Sequence, residues 1–92
     1  MAAADPSPNI IIYTSAFCAY CVAAKNLLKS RGANWTEVRV DLDAGRREEM
    51  LARARRSSVP QIFIGDVHVG GFDELAALDR KGELASLLAP TS

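Results

Sequence analysis

Asn9-Ile-Ile-Ile-Tyr-Thr-Ser-Ala-Phe-Cys-Ala-Tyr-Cys21 is the stretch on which the fold turns. Its first six residues form a β-branched and aromatic run without charge, the composition of a buried strand. Ser15 to Phe17 make a short loop. A helix follows from about Cys18 to Arg31, with Val22, Leu27 and Leu28 on its apolar side and Lys25, Asn26 and Lys29 on its wet side. Gly32 stands where a helix-terminating glycine is expected. Cys18 and Cys21 are the only 2 cysteines in 92 residues. A helix opening at the first of them brings both thiols to its first turn, a spacing suited to a reversible disulfide.

Outward from this stretch, residues 35–42 alternate in part (Trp35, Val38, Val40 and Leu42 among polar residues) and read as a second strand. Strand, helix and strand in that order predict a right-handed parallel crossover. Asp43-Ala44-Gly45 breaks the strand. Residues 46–56 read as a second helix, with Met50, Leu51 and Ala54 facing inward and Glu49 and Arg53 paired four residues apart on the exposed side. Val59 to Ile64 is a third strand and Val67-His68-Val69 a fourth, joined by Gly65-Asp66 as a two-residue hairpin. After Gly70-Gly71 a helix spans residues 72–81, with Asp73 as candidate N-cap and Gly82 as stop, and residues 83–89 add a short last helix. The order predicts an α/β domain over residues 9–89, a four-stranded mixed sheet with helices on both faces. Residues 1–8, containing Asp5, Pro6, Ser7 and Pro8, read as a disordered lead-in.

Composition narrows the function. At 49% apolar and 24% charged residues the chain is an ordinary soluble domain. Its 11 basic residues balance 11 acidic ones, so no net field draws it to nucleic acid or to an anionic membrane. No apolar run is long enough to cross a bilayer, and the first residues lack the basic and apolar regions of a secretory signal, which points to the cytoplasm. In that reducing setting a C-x-x-C pair beside a βαβ pattern signals redox or metal chemistry. A structural zinc ion takes four ligands, and beyond the two thiols the chain offers only His68, read here as an ordinary edge-strand residue.

The thiolate is the reactive form of cysteine, and the partial positive charge of a helix N-terminus favours it; cysteines so placed have pKa values of roughly 3.5–7.5. Cys18 at that end reads as the nucleophile. Cys21, nearly a turn in, reads as the more buried resolving thiol. The competing account makes both small apolar core residues, but a C-x-x-C pair at a strand-to-helix junction favours chemistry. Tyr20 either flanks a bound thiol or packs on the surface. Pro60 forces Val59 into an extended conformation. A trans bond there simply marks a strand start; a cis bond leaves the Val59 backbone free to pair with an extended peptide. Asp73 caps its helix, or the helix start holds a carboxylate.

Taken together, Tyr13-Thr14, the C-A-Y-C box, Ala24-Lys25 with Leu27-Leu28, Arg47-Glu-Glu-Met50, Ser58-Val-Pro-Gln-Ile-Phe-Ile64 and Gly70-Gly-Phe-Asp-Glu-Leu75 resemble a dithiol glutaredoxin of the small bacterial type, from about Asn9 to Leu88. The resemblance implies a thioredoxin-like fold with Pro60 cis and close to Cys18. It implies glutathione as co-substrate, and a thiol–disulfide oxidoreductase that reduces disulfide-containing or glutathionylated proteins as a monomer. By the same resemblance Cys18 forms the mixed disulfide with glutathione, Tyr20 lines the site, and Val59 pairs with the cysteinyl part. Ser58 stands in the family's threonine position and Pro60 beside it. Gly71, Phe72 and Asp73, assisted by Glu74, receive the γ-glutamyl end, and Arg47 meets the glycyl carboxylate. Two residues depart from the pattern: Ser15 replaces a lysine and Ala19 a proline. Small residues at the position of Ala19 occur in relatives that hold a [2Fe–2S] cluster between two subunits through the first cysteine and glutathione. This leaves a cluster-bearing homodimer, ligated by Cys18, as the alternative.

Overall fold

The computed structural model describes residues 8–89. Apart from Pro8, the lead-in expected at residues 1–8 lies outside them. Eight elements follow in order: β1 (Ile10–Thr14), α1 (Ala19–Ser30), β2 (Thr36–Arg39), α2 (Ala44–Ala54), β3 (Gln61–Ile64), β4 (Val67–Gly70), α3 (Phe72–Arg80) and α4 (Glu83–Leu88). The sheet order is β2-β1-β3-β4. β1 runs parallel to β2, with Tyr13 opposite Val38, and antiparallel to β3, with Ile12 opposite Ile62. β3 and β4 form the expected hairpin. Gly65 supplies the positive φ (+59°) at the first position of its two-residue turn, where a side chain would be strained. This is the thioredoxin-like architecture, a four-stranded mixed sheet with helices on both faces.

Strand alternation builds two cores. Ile10, Ile12, Ile62 and Ile64 point to one face and meet Ala24 and Leu28 of α1, Leu75 of α3 and Leu84 of α4. Tyr13 and Phe63 point to the other face and meet Met50 and Ala54 of α2. The central strand is thus buried on both sides, which is why it reads as an uninterrupted apolar run. α1 ends with Gly32 at φ +76°, its N–H bonded to the Lys29 carbonyl while Ala33 N–H reaches the Leu28 carbonyl, a Schellman closure. A bidentate contact of Arg31 with Asp79, at 2.7 and 2.8 Å, ties α1 to α3.

Several sequence expectations are corrected. Val22 is exposed, and the inward face of α1 is Cys21, Ala24 and Leu28, because the helix is phased by the packing of Cys21 beneath the loop. β2 is shorter than residues 35–42, and Leu42 is exposed in the turn beyond it. α2 starts at Ala44 rather than Arg46 because the Asp43 carboxylate caps the Gly45 N–H at 2.8 Å. Leu51 of α2 is exposed. Arg53 does not pair with Glu49; its guanidinium lies over the Phe63 ring and donates to the Tyr13 hydroxyl at 2.9 Å, while Glu49 accepts from that hydroxyl and pairs with Arg46. The N-cap of α3 is Gly71, with Asp73 inside the first turn.

Leu28 is fully buried at the centre of the larger core. Leu28→Ala is expected to lower unfolding free energy by about 2–5 kcal/mol. Urea denaturation checks this, as a fall in midpoint with the slope unchanged.

Candidate active site

β1 delivers the chain through the Ser15–Phe17 loop to Cys18, the N-cap of α1, in extended conformation (φ −106°, ψ 103°). The Cys18 Sγ takes the part that a Ser or Asp oxygen plays at other helix starts: it accepts the Cys21 N–H at 3.1 Å. On its other side it lies 3.8 Å from the Val59 carbonyl oxygen. Cys18 is half-buried and Cys21 is buried. Burial, followed by the hydrogen bond to Cys18, pushes the Cys21 thiol up to about 12.

The Val59–Pro60 bond is cis. The buried Gln61 holds this corner from below: its amide N–H₂ donates to the Ser58 carbonyl at 3.0 Å and lies 3.3 Å from the Ser58 hydroxyl. Its carbonyl oxygen meets His68 Nε2 at 2.8 Å. His68, on edge strand β4, also stacks on Phe63 at 4.7 Å. It is therefore a strut for the Ser58–Pro60 corner and not merely a surface residue.

A groove of about 240 Å³ runs from this corner to the start of α3, lined by Tyr20, Arg56, Ser58, Val59, Pro60, Gly71, Phe72, Asp73 and Glu74. The Tyr20 and Phe72 rings stack across it with centroids 6.1 Å apart. Glu74 folds back so that its carboxylate accepts the Gly71 N–H at 2.7 Å, one half of a capping box. That bond, above all, holds the Glu74 carboxyl below the usual range. A side chain at Gly70 (φ +111°) would meet this carboxylate at 3.0 Å.

Of the residues singled out in the sequence, Tyr20, Ser58, Val59, Pro60, Gly71, Phe72, Asp73 and Glu74 share this groove, and Cys18 borders it through Val59. Arg47 does not line it; it is exposed on α2. Arg56, not singled out in the sequence, also lines it, 3.4 Å from Glu74. Gln61 and Arg56 both escaped the sequence reading. The signal for Gln61 was an amide inside an otherwise apolar strand; Arg56 carried none. Among the described residues no three of His, Cys, Asp and Glu stand together as a metal site. A [2Fe–2S] cluster takes four sulfur ligands, so ligands from outside one chain would be needed to complete one around Cys18. Among the described residues no helix is long and apolar enough to cross a membrane.

The glutaredoxin family model matches residues 10–69. The chain is 50% identical over 80 residues to glutaredoxin 3 of Escherichia coli, covering 87% of this chain and 96% of that one. The solution structure of a glutaredoxin from Brucella melitensis superposes with a TM-score of 0.80 at 45% identity, over 94% of each chain. A buckwheat glutaredoxin in complex with glutathione gives a TM-score of 0.80 at 26% identity, over 91% of this chain and 78% of that one.

The unequal burial of the two thiols sets an order of reactivity. In the folded protein at neutral pH, iodoacetamide is expected to alkylate Cys18 alone. Cys21 should react only as pH climbs toward its raised pKa of about 12, or in denaturant. Peptide mass spectrometry across pH reads the two sites separately, and equal labelling at pH 8 contradicts this assignment.

Proposed function

Because this chain belongs to the glutaredoxin family and so to the thiol–disulfide oxidoreductases, we propose that it is a cytoplasmic, glutathione-dependent enzyme that reduces glutathione mixed disulfides and protein disulfides. One observation carries this reading: the Cys18 sulfur lies between the Cys21 N–H and the Val59 carbonyl, at the mouth of a groove that ends in a helix start. An extended peptide carrying a thiol can pair with the Val59 backbone as an added strand while its sulfur lies against Cys18.

The groove supplies the remaining contacts that a γ-glutamyl tripeptide asks for. Glu74 already takes the Gly71 N–H, so the N–H groups of Phe72 and Asp73 are left for the α-carboxylate, at the positive end of α3. The Asp73 carboxylate faces the ammonium. Arg56 is held to Glu74 only by a long, half-exposed contact and is free to turn its guanidinium to the ligand's carboxylate. Tyr20 and Phe72 cover the backbone between them. Ser58 orients the corner through Gln61.

In the reaction, the Cys18 thiolate attacks the glutathione sulfur of a protein–glutathione disulfide. The Cys18–sulfur bond forms, the old S–S bond breaks, and the protein thiolate leaves with the electron pair. A second glutathione thiolate then attacks the glutathione sulfur on Cys18, releasing glutathione disulfide and restoring the Cys18 thiolate. For a protein disulfide, Cys18 takes one substrate sulfur and releases the other as thiolate. Cys21 then attacks the Cys18 sulfur, frees the bound substrate thiol, and leaves a Cys18–Cys21 disulfide that two glutathiones reduce.

Two variants test the assignments. Cys21→Ser is expected to retain turnover of a small glutathione mixed disulfide and to lose reduction of protein disulfides; loss of both contradicts Cys18 acting alone. Arg56→Gln should raise KM for the glutathione substrate about tenfold, the loss of a partly exposed charge-assisted contact, with kcat little changed. Arg47→Gln should leave both constants near wild type. The reverse pattern moves the carboxylate anchor to α2.

A further inference from the structure

Phe17, immediately before the nucleophile, is fully exposed at 108% relative accessibility. It also adopts a left-handed backbone conformation, φ +57°, which is uncommon for a bulky residue. Neither feature serves the stability of the fold, because among the described residues the ring packs on nothing and a glycine would relieve the backbone. Val22, one turn into α1 on the same side of Cys18, is also exposed.

Both side chains border a second groove of about 530 Å³, lined by Ser15 to Ala19, Cys21, Val22, Lys25, Glu37 and Arg39. It shares no residue with the groove assigned to glutathione, and the Cys18 sulfur lies where the two meet. Its charges are already satisfied: Lys25 pairs with Glu37 at 3.0 Å, and Arg39 with Asp41 at 2.6 Å. Thr14 further commits Glu37, donating its hydroxyl at 2.7 Å. This groove therefore has little to offer a small ionic ligand, while its apolar side chains are without a partner.

From the unpartnered Phe17 and Val22 beside the reacting sulfur, we propose that Phe17 is a specificity-determining residue that selects polypeptide substrates bearing an apolar side chain next to their reactive cysteine. The inference rests on the oxidoreductase reading above. Any polypeptide joined to the Cys18 sulfur must lie over the loop that carries Phe17, and an apolar neighbour of its cysteine falls within reach of the ring. Burying such a ring removes about 150–250 Å² of side chain from water. A small thiol with two carbons cannot cover it. The occupant is the substrate chain, tethered by the disulfide that is being exchanged.

The test compares wild type, Phe17→Ala and Phe17→Gly on three symmetric disulfides, whose attack joins one half to Cys18: that of cysteamine, that of a synthetic peptide with leucine beside the cysteine, and that of the same peptide with serine there. Both variants are expected to lose about tenfold in kcat/KM, near 1.4 kcal/mol, on the leucine peptide, and to match wild type on cysteamine and on the serine peptide. Equal losses on all three, or no loss on the leucine peptide, overturn the proposal. So does a wild type that sediments as a dimer and variants that sediment as monomers, since a second copy then covers the ring. A wild type inert toward the cysteamine disulfide instead overturns the oxidoreductase reading itself. Phe17→Gly relieves the left-handed backbone, and its urea midpoint, expected to equal or exceed wild type, separates lost recognition from lost folding.

Discussion

The hydrogen bond from the Cys21 N–H to the Cys18 sulfur is the contact on which the proposed chemistry depends. A helix start leaves backbone donors without partners, and most proteins satisfy them with a hydroxyl or carboxylate. Here the acceptor is the Cys18 sulfur, so in the proposed reaction the cap and the attacking atom are one group. The fold has to hold that sulfur where a helix begins, at the rim of the protein. It does so with β1, which is hydrogen-bonded on both edges and packed on both faces. The strand fixes the direction from which the loop enters α1, and Cys21 anchors the first turn from inside.

The opposite wall is built by different means. The Ser58–Pro60 corner belongs to no regular element, and its position comes from a polar chain: Ser58 to Gln61, Gln61 to His68, and His68 stacked on Phe63. A fully buried glutamine is costly unless its amide is satisfied on both ends, and here both ends are. Arg53 lies over the same Phe63 ring at 4.2 Å and reaches the Tyr13 hydroxyl. The corner is thereby linked through the aromatic face of the sheet to α2, and the wall facing Cys18 is braced from the sheet upward.

This division explains how far the sequence could be read. The isoleucines of β1, the glycines at 32 and 65 and the C-x-x-C spacing carry local signals, since each satisfies a backbone or burial requirement within a few residues. The hairpin and the crossover follow from them, whereas the groove's Ser58–Pro60 and Gly71–Glu74 segments were legible only through the resemblance to glutaredoxins. What stayed hidden depends on contacts between distant residues. Arg53 left its i,i+4 partner because an aromatic ring and a buried hydroxyl, forty residues away in the case of Tyr13, offered it more. Arg56 enters the groove because α2 ends at Arg55 in a left-handed conformation (φ +58°), a position where glycine is the usual signal. Val22 looks apolar and inward on a helical wheel, yet the wheel's phase is set by Cys21 and not by hydrophobicity alone.

The contact of Cys21 with the Cys18 sulfur also bears on how the proposed cycle orders its steps. Burial is the first cause of Cys21's raised pKa of about 12, but the hydrogen bond to Cys18 and the charge on Cys18 add to it, while the Ser15 backbone and Lys25 work the other way. Once Cys18 is joined to a substrate sulfur, it carries no negative charge and is a far weaker acceptor. Both of its upward contributions then disappear, and those of Ser15 and Lys25 remain. Cys21 is therefore least able to ionise while Cys18 is a free thiolate, and becomes more so when there is a disulfide for it to attack. In the proposed cycle, forming the mixed disulfide removes the part of Cys21's upward shift that comes from Cys18, while burial, its largest cause, remains. That timing needs no moving part, only two sulfurs sharing the first turn of one helix.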